Sequence, residues 1–552
     1  MTTPSDGKQA NPHPGGATTS LWQGTVELPR YPRLQRSTSC DVCVIGAGIA
    51  GLSVAYHLAR EGKKVVVLDD GPIGGGETGR TTAHLTDAMD DRIHWLEHIH
   101  GPGGARLTVA SHGAAINRIQ QIVQLEGIDC DFERLDGYLM QCDAGNELEE
   151  LQREAEAAAR AGLTDVALVD RAPIAGFESG TALRFPGQGQ FHVLKYMAGL
   201  AHAIVEKYHG QIFCDTHVEG VEGGDPCNVK IEGGVQLSAG CVAVCTNASI
   251  SDYVQTHIKS EAHRTYAIAA VVPRGSVDRA LYWDLGDIYH YVRLQRLDEP
   301  YPGVLKGDTL WDALIVGGGD HKVGHDGRHE ERWGALEKWM RERWPQAREV
   351  VYRWSGQVIE PSDGLAYIGR NPDGAENVFM AMGDSGQGMT HGTIAGMLIA
   401  DLVVGRANAW EQLYDPKRVS LRASPVAEMA KHNVDVAVQY AKGFLSPDIG
   451  SADDIKPGEG KVLRRGLKKV AAYRTEDGTL IEKSAVCTHL KCIVDWNNAE
   501  KSWDCPCHGS RFTPTGEVLN GPAIMALEDV EPEKGGGGVR SEAPQRKRKA
   551  KA

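Results

Sequence analysis

No run of 18 or more apolar residues occurs in the chain, so no membrane-spanning helix is expected; the best candidate, 393–404, is short and carries Asp401. Basic residues are in deficit, 59 Lys plus Arg against 73 Asp plus Glu, a net charge of -14 that argues against nucleic acid as a partner. Residues 1–20 are polar and have neither the apolar core of a secretory signal nor a twin arginine ahead of one. A disordered leader over 1–36 and a cytoplasmic protein are the expectations. Cysteine is absent from most of the second half: eight of the 12 precede residue 246, and the other four crowd into 487–507. At 552 residues the chain has room for two to four domains.

Asp41 to Asp69 reads as strand, glycine turn, helix and second strand. Val42, Cys43, Val44 and Ile45 form a buried strand that runs into Gly46-x-Gly48-x-x-Gly51, and a helix follows. The first glycine permits a tight turn, the second lets backbone amides reach a pyrophosphate, and the third lets helix and strand pack closely. Asp69, roughly 20 residues beyond the glycines, stands where a carboxylate accepts ribose hydroxyls. Glycine pattern, flanking strands and acid together predict a dinucleotide cradle. The loop 71–86 is rich in glycine and threonine and returns the chain towards the ring end of such a ligand.

Helical patterns follow at 106–125, 146–161 and 193–208, with strands at 211–218 and 229–237 and a continuous apolar strand at 239–246, typical of a parallel sheet. From 264 to 319 the pattern is β-rich, and Tyr289, Tyr291 and Arg293, spaced two apart, share a face that either looks onto substrate or merely lines a sheet. Val316-Gly-Gly-Gly-Asp320 is not followed by an amphipathic helix and reads as a plain turn, which disfavours a second dinucleotide domain. A strand near Val378 runs into Gly383-Asp-Ser-Gly386-Gln-Gly388-Met389-Thr390 and another helix, whose amides can face a second electron-rich group.

The fingerprint with Asp69, the stretch Trp354-Ser-Gly-Gln357 leading to Asp363-Gly-Leu-Ala-Tyr-Ile-Gly369, and the turn 383–390 give residues 37–418 a resemblance to the D-amino-acid oxidase, glycine oxidase and sarcosine oxidase family. That resemblance implies an α/β FAD-binding Rossmann-like domain, with an antiparallel β-rich substrate domain inserted at roughly 96–165 and 255–345. It places Gly46, Gly48, Gly51 and Asp69 on the ADP half, Val218 on the adenine, and Thr81, Thr82 and Ala83 beside the flavin, with Gly388, Met389 and Thr390 on the ring. FAD is expected to be noncovalent, although His84 lies in a suggestive loop. Members of the family take a hydride from a carbon bearing an amine, so an amine or amino-acid substrate is implied. Arg293 is the candidate for a substrate carboxylate, with Tyr291 beside it. No general base is evident.

Cys487-Thr-His489 and Cys505-Pro-Cys507-His508 set two Cys-His pairs on two loops, a ligand set that suits a Rieske 2Fe-2S cluster and also tetrahedral zinc. The neighbours favour the cluster: residues 451–530 resemble the Rieske proteins of the cytochrome bc complexes. The resemblance implies a small all-β domain, iron ligation by Cys487, His489, Cys505 and His508, and a disulfide between Cys492 and Cys507. Ser510 stands where its hydroxyl donates to the cluster, while Phe512 occupies a place where high-potential relatives carry tyrosine. Rieske oxygenases fit less well, since their Rieske unit comes first and no mononuclear iron site is apparent.

The whole chain thus resembles bacterial fusions of an FAD-dependent amine or amino-acid oxidoreductase with a Rieske domain. A connector at 419–450 and a disordered basic tail at 531–552 complete it. A dehydrogenase passing electrons singly to an acceptor protein or quinone is expected, with an electron-transfer module or redox sensor as the alternative. A cut near Asp448 is expected to leave a fragment that still binds FAD.

Overall fold

The structure is a computed structural model that describes residues 16–142, 147–248, 260–286, 288–297, 310–324, 327–419, 451–466 and 468–530. The connector beyond 419 and the basic tail lie outside them, as does the proposed cut near Asp448.

Strand Thr38–Ile45 sits at the centre of the cofactor sheet, parallel to Val65–Leu68 on one side and to Val235–Asn247 on the other. Gln211–Phe213 and Val378–Met382 extend the parallel run, and Tyr367–Arg370 closes an edge antiparallel. The central strands are apolar on both faces: Val42, Val44, Val65 and Val67 pack against the helices, and Cys43, Ile45, Val66 and Leu68 against the antiparallel strands Val218–Glu222 and Cys227–Ile231. Helix Ile49–Arg60 lies against helix Gly388–Val403. The contact is close because two glycines permit it: a Cβ on Gly392 would stand 2.7 Å from the Ile49 side chain, and one on Gly396 2.6 Å from Ser53. Both helices begin at the same edge of the sheet and aim their N-termini at the same cavity.

The second sheet runs in the order 350–361, 260–273, 311–322, 290–296, 281–284, 133–140, 182–190, 84–85. It is antiparallel except where Leu281–Asp284 pairs parallel to Glu133–Met140. The inserted unit therefore reaches beyond the expected 96–165 and 255–345, taking in strands at 84–85, 182–190 and 350–361. The glycine run 317–319 is not a turn but part of strand Trp311–Lys322. It lacks side chains because the Tyr291 ring of the neighbouring strand lies where the Cβ of Gly317 would be.

The expected disordered leader is contradicted over 16–36. Ser20 and Gln23 close a capping box on the short helix Leu21–Thr25, and Leu21 and Trp22 are fully buried. Further on, Leu34 N donates to Thr216 Oγ1 and Cys214 N to Pro32 O, where the expected strand 211–218 breaks in two.

The C-terminal unit is all-β, with sheets of three strands (460–465, 468–474, 480–484) and four (495–497, 502–504, 511–512, 518–520). It docks on the flavin unit through charge. Arg80 and Glu500 form a fully buried pair at 3.2 Å, and Glu500 also accepts from Ser355 and from Thr18 of the leader. Arg80 donates in turn to the carbonyls of Gly16, Thr18 and Ser355. Burial alone would raise the Glu500 carboxyl, but Arg80, Arg264 and Arg511 outweigh it and hold it down at about 2.

Candidate cofactor and active site

The cradle begins where strand Thr38–Ile45 ends. Gly46 adopts φ +100, and a Cβ there would press on the Cys245 carbonyl at 2.5 Å; a Cβ on Gly51 would overlap the Gly46 carbonyl. Asp69 fastens the turn from the next strand, its Oδ2 accepting from Ala47 N at 2.5 Å and its Oδ1 from Gly71 N at 2.8 Å. Burial, with the Asp70 charge adding to it, pushes the Asp69 carboxyl up to about 7.

A cavity of about 360 Å³ opens from this turn. Gly46, Gly48, Asp69 and Val218 line one end; Thr81, Thr82, Gly388 and Met389 line the other. Gly51, Ala83 and Thr390 are not on the wall. Gly51 serves the helix packing. Ala83 sits behind its neighbours at φ +60, and Thr390 turns its hydroxyl to the Gln387 carbonyl, near His112 Nδ1. The ring end is completed by Tyr289, Tyr291, His84 and Asp90. Tyr291 and Thr265 hydroxyls bond at 2.7 Å, Tyr289 donates to Asp320 Oδ2 at 2.9 Å, and the His84 and Tyr291 rings meet edge-on at 5.7 Å. Burial, with the nearby Arg293 charge, lowers His84 to about 3, so the imidazole is neutral. Burial pushes Asp90 up to about 6 despite Arg92.

Arg293 is a correction. It shares the face of Tyr291 but lies behind the cavity wall, 1 % exposed, with Nη1 donating to the carbonyls of Ala83 and Phe191 at 2.8 and 2.9 Å and Nη2 to Gln295 Oε1 at 2.6 Å. Its guanidinium stacks 5.2 Å from the Trp22 ring. It cannot receive a substrate carboxylate; it holds the Thr82–Ala83 backbone from behind, and Trp22 does the same for Thr81 by donating to its carbonyl at 2.6 Å.

The cavity suits FAD in three respects. Two helix N-termini converge on it, the glycines leave backbone exposed for a pyrophosphate, and the buried oxygens of Gln357 and Gln387 lack donors among the described residues. Sequence reasoning missed its third wall: Val518, Leu519, Asn520, Gly521, Ala523 and Ile524 of the C-terminal unit line it, and Asn520 Nδ2 donates to Glu77 Oε1 at 2.6 Å.

In that unit Cys487 and Cys505 are buried, and the His489 and His508 rings lie 5.2 Å apart, edge to face. Cys492 and Cys507 are joined as a disulfide, with Cα atoms 6.5 Å apart, tying the two ligand loops together. Amides of His489 and Leu490 and the Ser510 hydroxyl are directed at the Cys487 sulfur, and amides of Cys507 and His508 at Cys505. Donors around two thiols, with two imidazoles opposite, suit a 2Fe-2S cluster. Three of these sulfurs, of Cys492, Cys505 and Cys507, also lie close enough together to resemble a metal site, but the disulfide takes two of them.

Comparison with known proteins agrees with both halves. Residues 41–402 match the FAD dependent oxidoreductase family and 447–531 the Rieske [2Fe-2S] domain. The chain is 31% identical over 519 residues to the putative Rieske 2Fe-2S iron-sulfur protein YhfW of Bacillus subtilis, covering 93% of this chain and 98% of that one. It is 28% identical over 395 residues to gamma-glutamylputrescine oxidoreductase of Escherichia coli, covering 69% of this chain and 87% of that one. Glycine oxidase from Geobacillus kaustophilus shares the fold, with a TM-score of 0.56 at 18% identity over 69% of this chain and 99% of that one. Among the described residues no helix is long and apolar enough to cross a membrane. The chain belongs to the FAD dependent oxidoreductase family and joins to it a Rieske domain that binds a 2Fe-2S cluster.

Proposed function

We propose that the protein is an amine dehydrogenase whose noncovalent FAD accepts a hydride from the carbon bearing the amine and whose Rieske cluster carries the electrons out singly. The observation that carries this reading is the shared cavity: one wall comes from the dinucleotide cradle, another from the substrate sheet and a third from the Rieske unit. FAD, when bound, supplies the two-electron chemistry and can release electrons one at a time. The chain's part is to position and to exclude water. Tyr289 and Tyr291, anchored by Asp320 and Thr265, form a rigid aromatic wall at the ring end.

The polar groups at that end favour an amine without a neighbouring carboxylate. Arg293 is engaged behind the wall, and Arg92 donates to the carbonyls of Asp90 and, at 3.5 Å, Asp284. Asp90 provides a carboxyl that is ionised at neutral pH and attracts a cationic amine. The relative from Escherichia coli, named for an amine-bearing substrate, supports the same class.

The test is an anaerobic screen of amines and amino acids against the full-length protein, read by bleaching of the flavin absorbance. Amines are expected to bleach it, and a one-electron acceptor to restore the colour faster than oxygen does. Failure of every amine and amino acid, with both cofactors loaded, would leave the electron-transfer module or redox sensor as the better reading.

A further inference from the structure

We propose that Gln357 is the bridge between the flavin site and the cluster, a role that rests on the dehydrogenase reading above. Gln357 belongs to strand Val350–Pro361, is 4 % exposed and lines the cavity. Its Nε2 donates to the Gly509 carbonyl at 2.9 Å, and Gly509 follows His508, one of the two imidazole ligands. The carboxamide cannot be turned over, since that would set its oxygen against the Gly509 oxygen. Its Oε1 is therefore fixed on the other side, buried and without a donor among the described residues. A buried acceptor left in that state is costly, so the occupant of the cavity must supply the donor. FAD carries suitable donors in its ring imide and its ribityl hydroxyls.

Glycine makes the approach possible. Gly509 adopts φ +76, and a Cβ there would stand 2.9 Å from Gln357 Nε2 and collide with the Ala262 methyl. On the other flank of the same loop, a Cβ on Gly324 would stand 2.8 Å from Pro506. The ligand loop 505–509 is thus seated against the substrate sheet at two points where only glycine fits. Arg80, Ser355 and Thr18 with Glu500, and Asn520 with Glu77, also join the domains, at residues not adjacent to an iron ligand.

The electrons balance as follows. Amine oxidation loads the flavin with two electrons, and each passage across Gln357 moves one of them to the oxidised cluster, which becomes one-electron reduced. Two passages, each followed by reoxidation of the cluster by a one-electron acceptor, empty the flavin and release its protons.

The experiment reduces the flavin by a laser flash, without any amine, in the full-length protein loaded with both cofactors, and follows the cluster absorbance. Gln357→Leu is expected to slow flavin-to-cluster transfer by about 10- to 100-fold, the scale on which loss of a partner outside the metal ligands alters activity. The rates are compared on protein reconstituted to full flavin content, and the EPR spectrum of the reduced cluster should stay as in the parent. If Gln357→Leu loses its flavin, Gln357→Met carries the test, because its uncharged thioether keeps the length and a weak acceptor but cannot donate to Gly509. Thr18→Ala removes the hydroxyl that the leader donates to Glu500 at the same interface and should leave the transfer rate unchanged. Equal slowing by Thr18→Ala would make docking, and not the bridge, the controlling factor and overturn the proposal. Fully loaded Gln357 variants as fast as the parent would overturn it too. Absence of any transfer in the parent would instead bring down the dehydrogenase reading itself.

Discussion

The two cofactor cradles are built on opposite principles. The flavin cradle is held by a large apolar core that runs from Leu21 of the leader to Tyr414, and at its turn Gly46 and Gly48 leave backbone open to the ligand. The Rieske cradle has a small core, in which Cys487, Cys492, Cys505 and Cys507 pack with Trp503 and Phe512, and it is stapled by a disulfide and by its cluster. A unit of that size seldom buries enough apolar surface to stand alone. Here the deficit is met by docking: Glu500 and Asp504 face Arg80, Arg264 and Arg511, all fully or almost fully buried. Autonomy thus differs between the halves, and the flavin half is itself incomplete, since its cavity borrows a wall from the other.

The largest test of that contrast is to remove the Rieske unit. A chain ending at residue 448 is expected to lose most of its flavin and to melt well below the parent, because Arg80 would lose its counter-charge and the cavity its wall at 518–524. This reverses the expectation from sequence that such a fragment binds FAD by itself. Flavin content after gel filtration decides it: a fragment that retains stoichiometric FAD would show the shared wall to be dispensable.

A narrower break is Glu500→Ala. Removing one partner of a buried pair leaves the other uncompensated and is expected to cost about 3–5 kcal/mol in chemical denaturation. The parent should show the same dependence through pH. The Glu500 carboxyl is lowered on folding, from 4.5 to about 2, so its contribution is present above the ordinary value and is lost as pH falls from 4.5 towards 2. Glu500→Ala should flatten that acid limb, and an unchanged limb would refute the assignment to Glu500.

What was legible in the sequence follows from range. The dinucleotide fingerprint and the two Cys-His pairs are local patterns whose spacing is dictated by the ligand, and they pointed to the right elements. Period-two spacing correctly put Tyr289, Tyr291 and Arg293 on one face, but which part of that face meets the cavity depends on where the 81–85 loop crosses it. The triple glycine 317–319 read as a turn because the Tyr291 ring that requires it lies on another strand. The leader offered a signal, the capping box from Ser20 to Gln23 ahead of helix 21–25, yet the surrounding Gly, Pro and Thr masked it. Arg80 and Glu500 are 420 residues apart, and nothing local pairs them.

The smallest expected effect lies inside the Rieske core and sharpens the contrast from the other side, since here a side-chain hydroxyl joins the backbone amides as a donor. Ser510 directs its hydroxyl to Cys487 and accepts from Ala523 N at 3.1 Å. Phe512 is fully buried in the same cluster of side chains as both ligand cysteines, and it contributes no donor. Reduction adds negative charge to the cluster, and a hydrogen bond to its sulfurs stabilises that charge. Phe512→Tyr is therefore expected to raise the reduction potential, at a stability cost below that of Glu500→Ala because only one hydroxyl is added to a packed site. Protein-film voltammetry on the full chain reads the shift. A potential that stays put while the cluster's EPR spectrum is intact would show that the added hydroxyl does not reach the cluster, and that Ser510 with the backbone amides already supplies the donors this cradle can use.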